Sequence, residues 1–192
     1  MKFGIIKERK NPPDRRVVFT PEELIRLQSE HPEAEIKVES SDIRIFSDDQ
    51  YRNLDLNVTT NMSDCDVLFG VKEVPIDALI PNKKYFFFSH TIKKQPYNRK
   101  LLQAILAKNI ELYDHETIVD ATNHRLIGFG RYAGLVGAYN GFRGFGIKYD
   151  LFTLPKAETL NGKEDLIARL KRQTLPNIKI VLTGHGKVGM GA

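Results

Sequence analysis

The residues with the clearest chemical pattern are six consecutive positions, Gly184-His185-Gly186-Lys187-Val188-Gly189, which match G-x-G-x-x-G. An apolar and β-branched run at residues 178–183 precedes them and predicts a buried strand. A strand followed by this glycine spacing and the start of a helix is the dinucleotide-binding fingerprint. Gly184 permits the tight turn, Gly186 lets the backbone approach a pyrophosphate, and Gly189 lets the helix pack on the strand. We therefore expect these three glycines to bind a dinucleotide.

The fingerprint is not complete within this sequence. The acidic residue that binds the ribose normally stands about 20 positions further on, which lies beyond Ala192. We therefore expect an amino-terminal part of a longer enzyme that is inactive by itself, with NAD as cofactor and NADP not excluded. Lys187 does not indicate nucleoside triphosphate hydrolysis, because G-x-x-x-x-G-K-[ST] is not matched.

A second group of polar side chains follows three predicted strands, the place where ligands bind in an open α/β sheet. The group comprises Asp14, Arg15 and Arg16 after the first strand, Lys72 and Glu73 after a later one, and His90 after the next. A guanidinium binds a carboxylate with two hydrogen bonds, a lysine with a lowered pKa can act as a base, and a histidine titrates near neutral pH. Together they suit an α-amino or α-keto acid, although each residue alone is also typical of a solvated or structural position.

The amino-acid composition limits the classes of molecule that the chain is expected to bind. The 29 Lys and Arg residues are interleaved with 24 Asp and Glu residues, and no nucleic-acid-binding motif is present. The net charge of +5 suits small anionic molecules as well as it suits nucleic acid, and without such a motif we expect no nucleic-acid partner. The single Cys65 excludes an intramolecular disulfide and a Cys-x-x-Cys cluster, and no metal site is predicted. We expect no signal peptide, no membrane span and a cytoplasmic location, and a homo-oligomer is possible.

Alternating strands and helices must position these residues. Strands are predicted at residues 2–7, 35–39, 66–71, 85–88 and 111–113. Helices are predicted to begin at the caps Thr20 and Ser47 and to cover residues 101–108. Thr20-Pro21-Glu22-Glu23 reads as a capping box with proline at the first helical position. This alternation predicts an α/β fold, a Rossmann-like and mainly parallel sheet flanked by helices.

The segment after residue 129 is different, because glycines recur in it at helical spacing. They are Gly130, Gly134, Gly137 and Gly141. Each interior glycine costs roughly 1 kcal/mol against alanine, so we expect this long helix to approach another backbone closely. A further helix is predicted at residues 164–171. We divide the chain into an amino-terminal substrate-binding domain at 1–129, connecting helices at 130–177, and the first strand and glycine turn of a dinucleotide-binding domain at 178–192.

The order of the motifs resembles the alanine dehydrogenase and transhydrogenase superfamily across nearly the whole chain. The motifs are Arg16-Val-Val-Phe-Thr20-Pro21, Gly70-Val-Lys72-Glu73-Val-Pro75, Ser89-His90-Thr-Ile-Lys93 and the glycine fingerprint. Within it, His90-x-x-Lys93 followed by Gln95, and Phe129-Gly-Arg-Tyr132-Ala-Gly134, are similar to the lysine-forming saccharopine dehydrogenases. Those enzymes oxidise the secondary amine of saccharopine with NAD, and water then releases lysine and 2-oxoglutarate.

The resemblance implies a role for each residue. Lys72 and His90 become the acid/base groups, and Arg16 becomes a ligand of a substrate carboxylate. Three further residues complete the implied substrate-binding set, namely Asp14, Glu73 and Lys93. Asp14 stands where the family has a Glu-like position, and a family lysine of the same loop falls near Asn11.

Two other functions stay open at this point. One is an alanine dehydrogenase that binds pyruvate through Arg16 and Lys72. The other is a non-catalytic domain, of transhydrogenase type or a simple α/β binding module.

Overall fold

The computed structural model describes residues 1–192 and divides them into two compact units, Met1–Ile127 and Gly128–Ala192. The first unit contains six strands: β1 (Lys2–Ile5), β2 (Glu35–Glu39), β3 (Asn57–Thr59), β4 (Val67–Lys72), β5 (Lys84–Phe88) and β6 (Glu111–Asp114). Its helices are α1 (Pro21–Glu30), α2 (Asp48–Arg52) and α3 (Arg99–Ala107).

All six strands are parallel and form one sheet in the order β3-β2-β1-β4-β5-β6. The strand order reverses between β1 and β4, so the carboxyl ends of these two strands flank a topological switch point. The predicted α/β class and parallel sheet are confirmed. The three-residue strand β3 was not predicted, because Asn-Val-Thr is too short to show an alternating pattern.

Helices α1 and α2 begin at the predicted capping residues, Thr20 and Ser47. The Thr20 hydroxyl accepts a hydrogen bond from Glu23 N at 3.2 Å, and Thr20 N donates to the Glu23 carboxylate at 2.8 Å. Ser47 and Gln50 make the same reciprocal pair at the start of α2. These bonds satisfy backbone donors that have no partner in the first turn of a helix.

The core of the first unit lies on both faces of the sheet, because neighbouring residues of a strand point to opposite faces. Leu68 and Phe87 pack with Ile105 of α3 in one cluster. Ile5 and Val38 belong to a second cluster that includes Leu24 of α1 and Tyr51 of α2. This packing fixes the strands, and so it also fixes the loops at their carboxyl ends.

The second unit is built on two helices, α4 (Gly130–Lys148) and α5 (Lys163–Lys171). Tyr139, Leu154 and Leu166 form its core, and the Tyr139 hydroxyl donates to Pro155 O at 2.8 Å. The predicted close approach of a glycine-rich helix to another backbone is found at Gly134, where a Cβ would collide with Val188 O. At Gly137 and Gly141 a Cβ would meet nothing within 4 Å.

The strand predicted at residues 178–183 is wrong for this chain. These residues have no regular secondary structure, and Ile180, Val181 and Leu182 are 59%, 77% and 62% exposed. A strand is stable only with hydrogen-bonded neighbours, and the one sheet of the chain lies in the first unit. None of the helices combines the length and the apolar character that a membrane span requires.

Candidate active site

Arg16 lies in the loop between β1 and α1, and its side chain is 41% exposed. Its Nε donates to Asp14 Oδ1 at 2.9 Å and its Nη2 donates to Asp14 Oδ2, the paired geometry of a guanidinium on a carboxylate. The hydrogen bond from Arg16 lowers the pKa of Asp14. The loop is also tied to the segment after β2, since Ile45 N donates to Arg15 O at 2.8 Å. Asp14, predicted to bind substrate, is therefore engaged by Arg16 here and sets the direction of its guanidinium.

Lys72 is the last residue of β4, and Glu8 holds its backbone. The carboxylate of Glu8, a residue only 8% exposed, accepts from Val71 N at 2.7 Å and from Lys72 N at 2.9 Å. Burial raises the pKa of Glu8 despite these two hydrogen bonds. After the Arg16 hydrogen bond, the positive charge of Lys72 is a further cause that lowers the pKa of Asp14. The Lys72 ammonium is thus within electrostatic range of the Arg16–Asp14 pair and makes no hydrogen bond to a carboxylate.

Glu73 is anchored by a lysine of the first loop, because Lys10 Nζ donates to Glu73 Oε1 at 2.8 Å. Burial opposes ionisation of Glu73, but the hydrogen bonds from Lys10 and from the Glu73 backbone, together with nearby positive charge, outweigh it and leave the pKa of Glu73 below its ordinary value. The charge of His90 contributes to this lowering, which places Glu73 and His90 near each other. Lys10 stands one residue before Asn11, the position near which the resemblance placed a family lysine, and here it binds Glu73.

His90 follows β5 in a left-handed backbone conformation, with φ of 57°. Asn98 Nδ2 donates to His90 O at 3.1 Å and supports this turn. The imidazole stacks on Phe88, with ring centroids 6.2 Å apart, and its Nδ1 lies 3.0 Å from Glu116 Oε2. Lys93 Nζ, which only donates, also lies 3.4 Å from Nδ1. The contact with the Glu116 carboxylate is the shorter one, and a carboxylate only accepts. We therefore assign the hydrogen to Nδ1, which leaves Nε2 for proton transfer.

Glu116, which follows β6, contacts three side chains that are cationic or titratable. Besides His90, it contacts Lys93 Nζ at 3.1 Å and Arg125 Nη1 at 3.4 Å through Oε1. Burial opposes its ionisation, but the hydrogen bonds from His90 and Lys93 leave the pKa of Glu116 lowered. Lys93, predicted to belong to the substrate-binding set, binds the carboxylate that also contacts His90.

The structure brings the predicted residues to one edge of the sheet. Lys72 pairs in register with Phe88, two residues before His90, and Glu116 follows the adjacent strand β6. Arg16 reaches this edge from the loop after β1. The edge therefore combines a guanidinium for a carboxylate with an ammonium and an imidazole that can exchange protons.

The glycine turn of the second unit has the geometry of a phosphate cradle. Gly184 has φ of +96°, which favours glycine, and a Cβ at Gly189 would collide with Gly184 O. A Cβ at Gly186 would meet nothing within 4 Å, so the backbone is open to a pyrophosphate there. Met190 N donates to Gly186 O at 2.9 Å, which closes a single hydrogen-bonded turn. These residues fit a dinucleotide, whereas no group of three His, Cys, Asp or Glu side chains is placed to hold a metal ion.

Sequence reasoning missed four residues of this site: Glu8, Lys10, Glu116 and Arg125. A usable signal existed for two of them, because Glu8 follows the end of β1 and Glu116 follows the end of β6. The same rule about strand ends that selected Lys72 and His90 selects them as well. Lys10 and Arg125 lie in irregular loops, and only the fold places them on Glu73 and Glu116.

The family model described as "Alanine dehydrogenase/PNT, N-terminal domain" matches residues 4–136. The chain belongs to this family. The matched residues of the alanine dehydrogenase/PNT N-terminal domain include every predicted acid/base and substrate-binding residue, and the glycine fingerprint lies after them. The resemblance stated from the motifs is confirmed.

Curated relatives of this alanine dehydrogenase/PNT domain include alpha-aminoadipic semialdehyde synthases and a saccharopine dehydrogenase. An alpha-aminoadipic semialdehyde synthase of Arabidopsis thaliana is 29% identical over an alignment that covers 98% of this chain and 20% of the relative. The mitochondrial synthase of Bos taurus is 36% identical over 59% of the chain and 12% of the relative. Saccharopine dehydrogenase [NAD(+), L-lysine-forming] of Yarrowia lipolytica is 28% identical over 82% of the chain and 47% of the relative. The chain thus spans less than half the length of each.

Two solved structures share the fold of this family member. An L-alanine dehydrogenase superposes with a TM-score of 0.56 at 18% identity, covering 78% of this chain and 41% of the other. The transhydrogenase of Sinorhizobium meliloti superposes with a TM-score of 0.60 at 18% identity, covering 82% of this chain and 48% of the other. They confirm a parallel, Rossmann-like α/β architecture. The named relatives place the chain in a family of oxidoreductases.

Proposed function

We propose that this chain is the substrate-handling part of an NAD-dependent amino-acid dehydrogenase that resembles lysine-forming saccharopine dehydrogenase. The observation that carries the proposal is the placement of His90. Its Nδ1 is held by Glu116 at 3.0 Å, at the sheet edge that also carries Lys72 and Arg16. The relative named as a lysine-forming saccharopine dehydrogenase supports the same substrate class.

Arg16 is the proposed ligand of a substrate carboxylate. A planar guanidinium already oriented by Asp14 loses little freedom when it binds an anion. Lys10 holds Glu73, and Lys93 holds Glu116, so the neighbouring carboxylates are neutralised and do not repel an anionic substrate. The site is therefore selective for a carboxylate-bearing amine.

Lys72 and His90 are the proposed acid/base pair. NAD, held by the turn at Gly184, Gly186 and Gly189 in the full-length protein, would accept hydride from the carbon that bears the nitrogen. One of the two residues takes the proton of the secondary amine, and the other moves protons as water adds to the imine and lysine leaves. The Lys72 ammonium makes no hydrogen bond to a carboxylate, and His90 has Nε2 available, so both can exchange a proton with substrate.

The test uses matched variants in the full-length protein, with saccharopine, alanine and NAD as reactants. H90Q lowers kcat by about 10²–10⁴, the usual effect of losing a general acid or base, while H31Q at an exposed histidine does not. R16K keeps the charge but loses the fork, so it mainly raises KM for the amino acid, and R15K next to it does not.

Thermal melts of each variant separate chemistry from folding. The proposal fails if H90Q keeps a near-normal kcat, or if it loses activity only because it unfolds. Oxidation of alanine in preference to saccharopine would replace the proposed substrate by that of an alanine dehydrogenase. Absence of any dehydrogenase activity in the folded full-length protein would favour the non-catalytic alternative.

A further inference from the structure

The strand that ends in Lys72 contains one extra residue. Phe69 of β4 pairs with Phe86 of β5, and Lys72 pairs with Phe88, so three steps along β4 match two steps along β5. This is a β-bulge at Gly70 and Val71. A bulge bends its strand and changes the direction of the side chains beside it, and bulges recur next to active sites for this reason.

Two buried side chains bind the backbone groups of the bulge. From the β1 side, the Glu8 carboxylate accepts from Val71 N at 2.7 Å and from Lys72 N at 2.9 Å. From the segment after β6, His115 Nε2 lies 3.1 Å from Gly70 O. Glu8 and His115 are 8% and 5% exposed, so water does not replace either one easily.

We propose that Glu8 and His115 are positioning residues that clamp the β4 bulge and thereby aim the Lys72 side chain. The inference rests on the proposed function, in which Lys72 exchanges protons with substrate. Loss of either clamp residue leaves a buried amide or carbonyl without a partner, and this unfavourable state is relieved by a shift of the backbone. Lys72 is the last residue of that backbone segment, so a shift moves it directly.

The clamp requires one charge state for each residue. Glu8 must be a carboxylate to accept from both amides, and His115 must be neutral with its hydrogen on Nε2, because Gly70 O only accepts. The Nδ1 of His115 is buried without a hydrogen-bond partner. The charged groups that act on Glu8 are Asp14 and Arg16.

The surroundings of His115 are mostly apolar. Its ring packs against Phe86 and Phe88 of β5, and Asp114 is the charged group that acts on it. A protonated His115 would place a second N–H donor where no acceptor lies. Glu8 and His115 both bind backbone atoms of β4 next to Lys72, so their proposed effect on Lys72 passes through that backbone.

Nearly isosteric variants test the clamp. E8Q replaces one of the two acceptor oxygens by an amide nitrogen, and H115F keeps a ring but removes the Nε2 donor. H115Q restores an N–H donor and serves as the rescue. Y85F is the matched control, because the buried Tyr85 hydroxyl accepts from Ile80 N at 2.9 Å in the same sheet but away from the bulge.

The first measurement is amide hydrogen exchange in the 192-residue chain, which needs no activity. E8Q and H115F are expected to speed exchange at Val71 and Lys72 by about tenfold or more, the equivalent of one lost charged or buried hydrogen bond. Y85F does not change exchange at these two amides. If E8Q does not fold, the comparison of H115F with H115Q decides whether the clamp slows exchange at Val71 and Lys72.

The second measurement is steady-state kinetics of the full-length protein. E8Q and H115F are expected to lower kcat by about 10²-fold through misplacement of Lys72, with a smaller change in KM, while H115Q recovers kcat and Y85F keeps it. The inference is overturned if K72M is inactive but E8Q and H115F match Y85F in exchange and in kcat. If K72M keeps the parent kcat, the proposed function is wrong, and exchange at Val71 and Lys72 then decides whether the clamp exists.

Discussion

Most cations of the candidate site have a carboxylate partner that orients them before substrate binds. Arg16 is paired with Asp14, Lys10 with Glu73, and Lys93 with Glu116. Ordering a long side chain in advance reduces the conformational entropy that binding must overcome. Lys72 differs, because its ammonium makes no hydrogen bond to a carboxylate. This difference agrees with the proposal that Lys72 transfers protons while the other cations bind and orient.

The Arg16–Asp14 pair leads to a prediction about stability and pH. The pKa of folded Asp14 is lowered below its ordinary value of 3.8, first by the hydrogen bond from Arg16. The unfolded chain therefore binds more protons in acid, so the stabilisation is complete above that value and is lost as pH falls through the folded pKa. D14N should lower the free energy of unfolding by about 1 kcal/mol at neutral pH, discounted for the partial exposure of Arg16.

Urea unfolding at stepwise lower pH checks this prediction, with D42N at an exposed carboxylate as the control. The difference between the parent chain and D14N should shrink once pH falls below the ordinary pKa of aspartate. A difference that stays constant into acid would show that the ion pair is not its source.

At the scale of elements, the glycines of α4 serve different purposes. Gly134 lies against the backbone of the fingerprint turn, where a Cβ would collide with Val188 O. Gly137, one turn further along, has nothing within 4 Å of such a Cβ. The same substitution should therefore have opposite effects at these two positions.

G134A should displace the turn at residues 188–192 and lower the melting temperature of the chain, whereas G137A should raise stability by about 0.5–1 kcal/mol through helix propensity. Thermal melts followed by circular dichroism check both, and each variant is the control of the other. Equal effects in the two variants would contradict the close packing at Gly134.

The helices and strands also show where local sequence signals were sufficient to predict secondary structure. Thr20 and Ser47 began their helices as predicted, because a capping box is completed within four residues. Residues 178–183 had an equally clear strand pattern but no strand neighbour, and a pattern cannot supply hydrogen bonds from another segment. The bulge at Gly70 and Val71 was invisible for a related reason, since it is defined by the register with β5.

At the scale of the whole molecule, the two units hold different parts of the proposed chemistry. The first carries Arg16, Lys72 and His90, and the second carries the glycine turn. Changes in the turn should therefore affect the nucleotide and leave the amino acid almost untouched. The parallel sheet and the family match at residues 4–136 support the proposed substrate-handling role of the first unit. The geometry of the glycine turn supports the proposed nucleotide-binding role of the second unit.

G186V in the full-length protein should raise KM for NAD by about tenfold or more, because the side chain fills the space where the backbone would approach a pyrophosphate. KM for the amino acid and the melting temperature should change little. G144V, at an exposed glycine with equally open surroundings, is the control. Fluorescence titration with NADH gives an independent affinity, and unchanged binding in G186V would remove the turn from the nucleotide site.

The sequence by itself determined the α/β class, the helix starts, the family and the residues that follow strands, because these depend on periodicity and on contiguous motifs. Only the tertiary structure decided which charges meet. Glu8 binds the β4 backbone from 63 and 64 residues away in the chain, and His115 reaches Gly70 across 45. Such contacts depend on strand order and register, which the packing of both sheet faces sets and which no local pattern encodes.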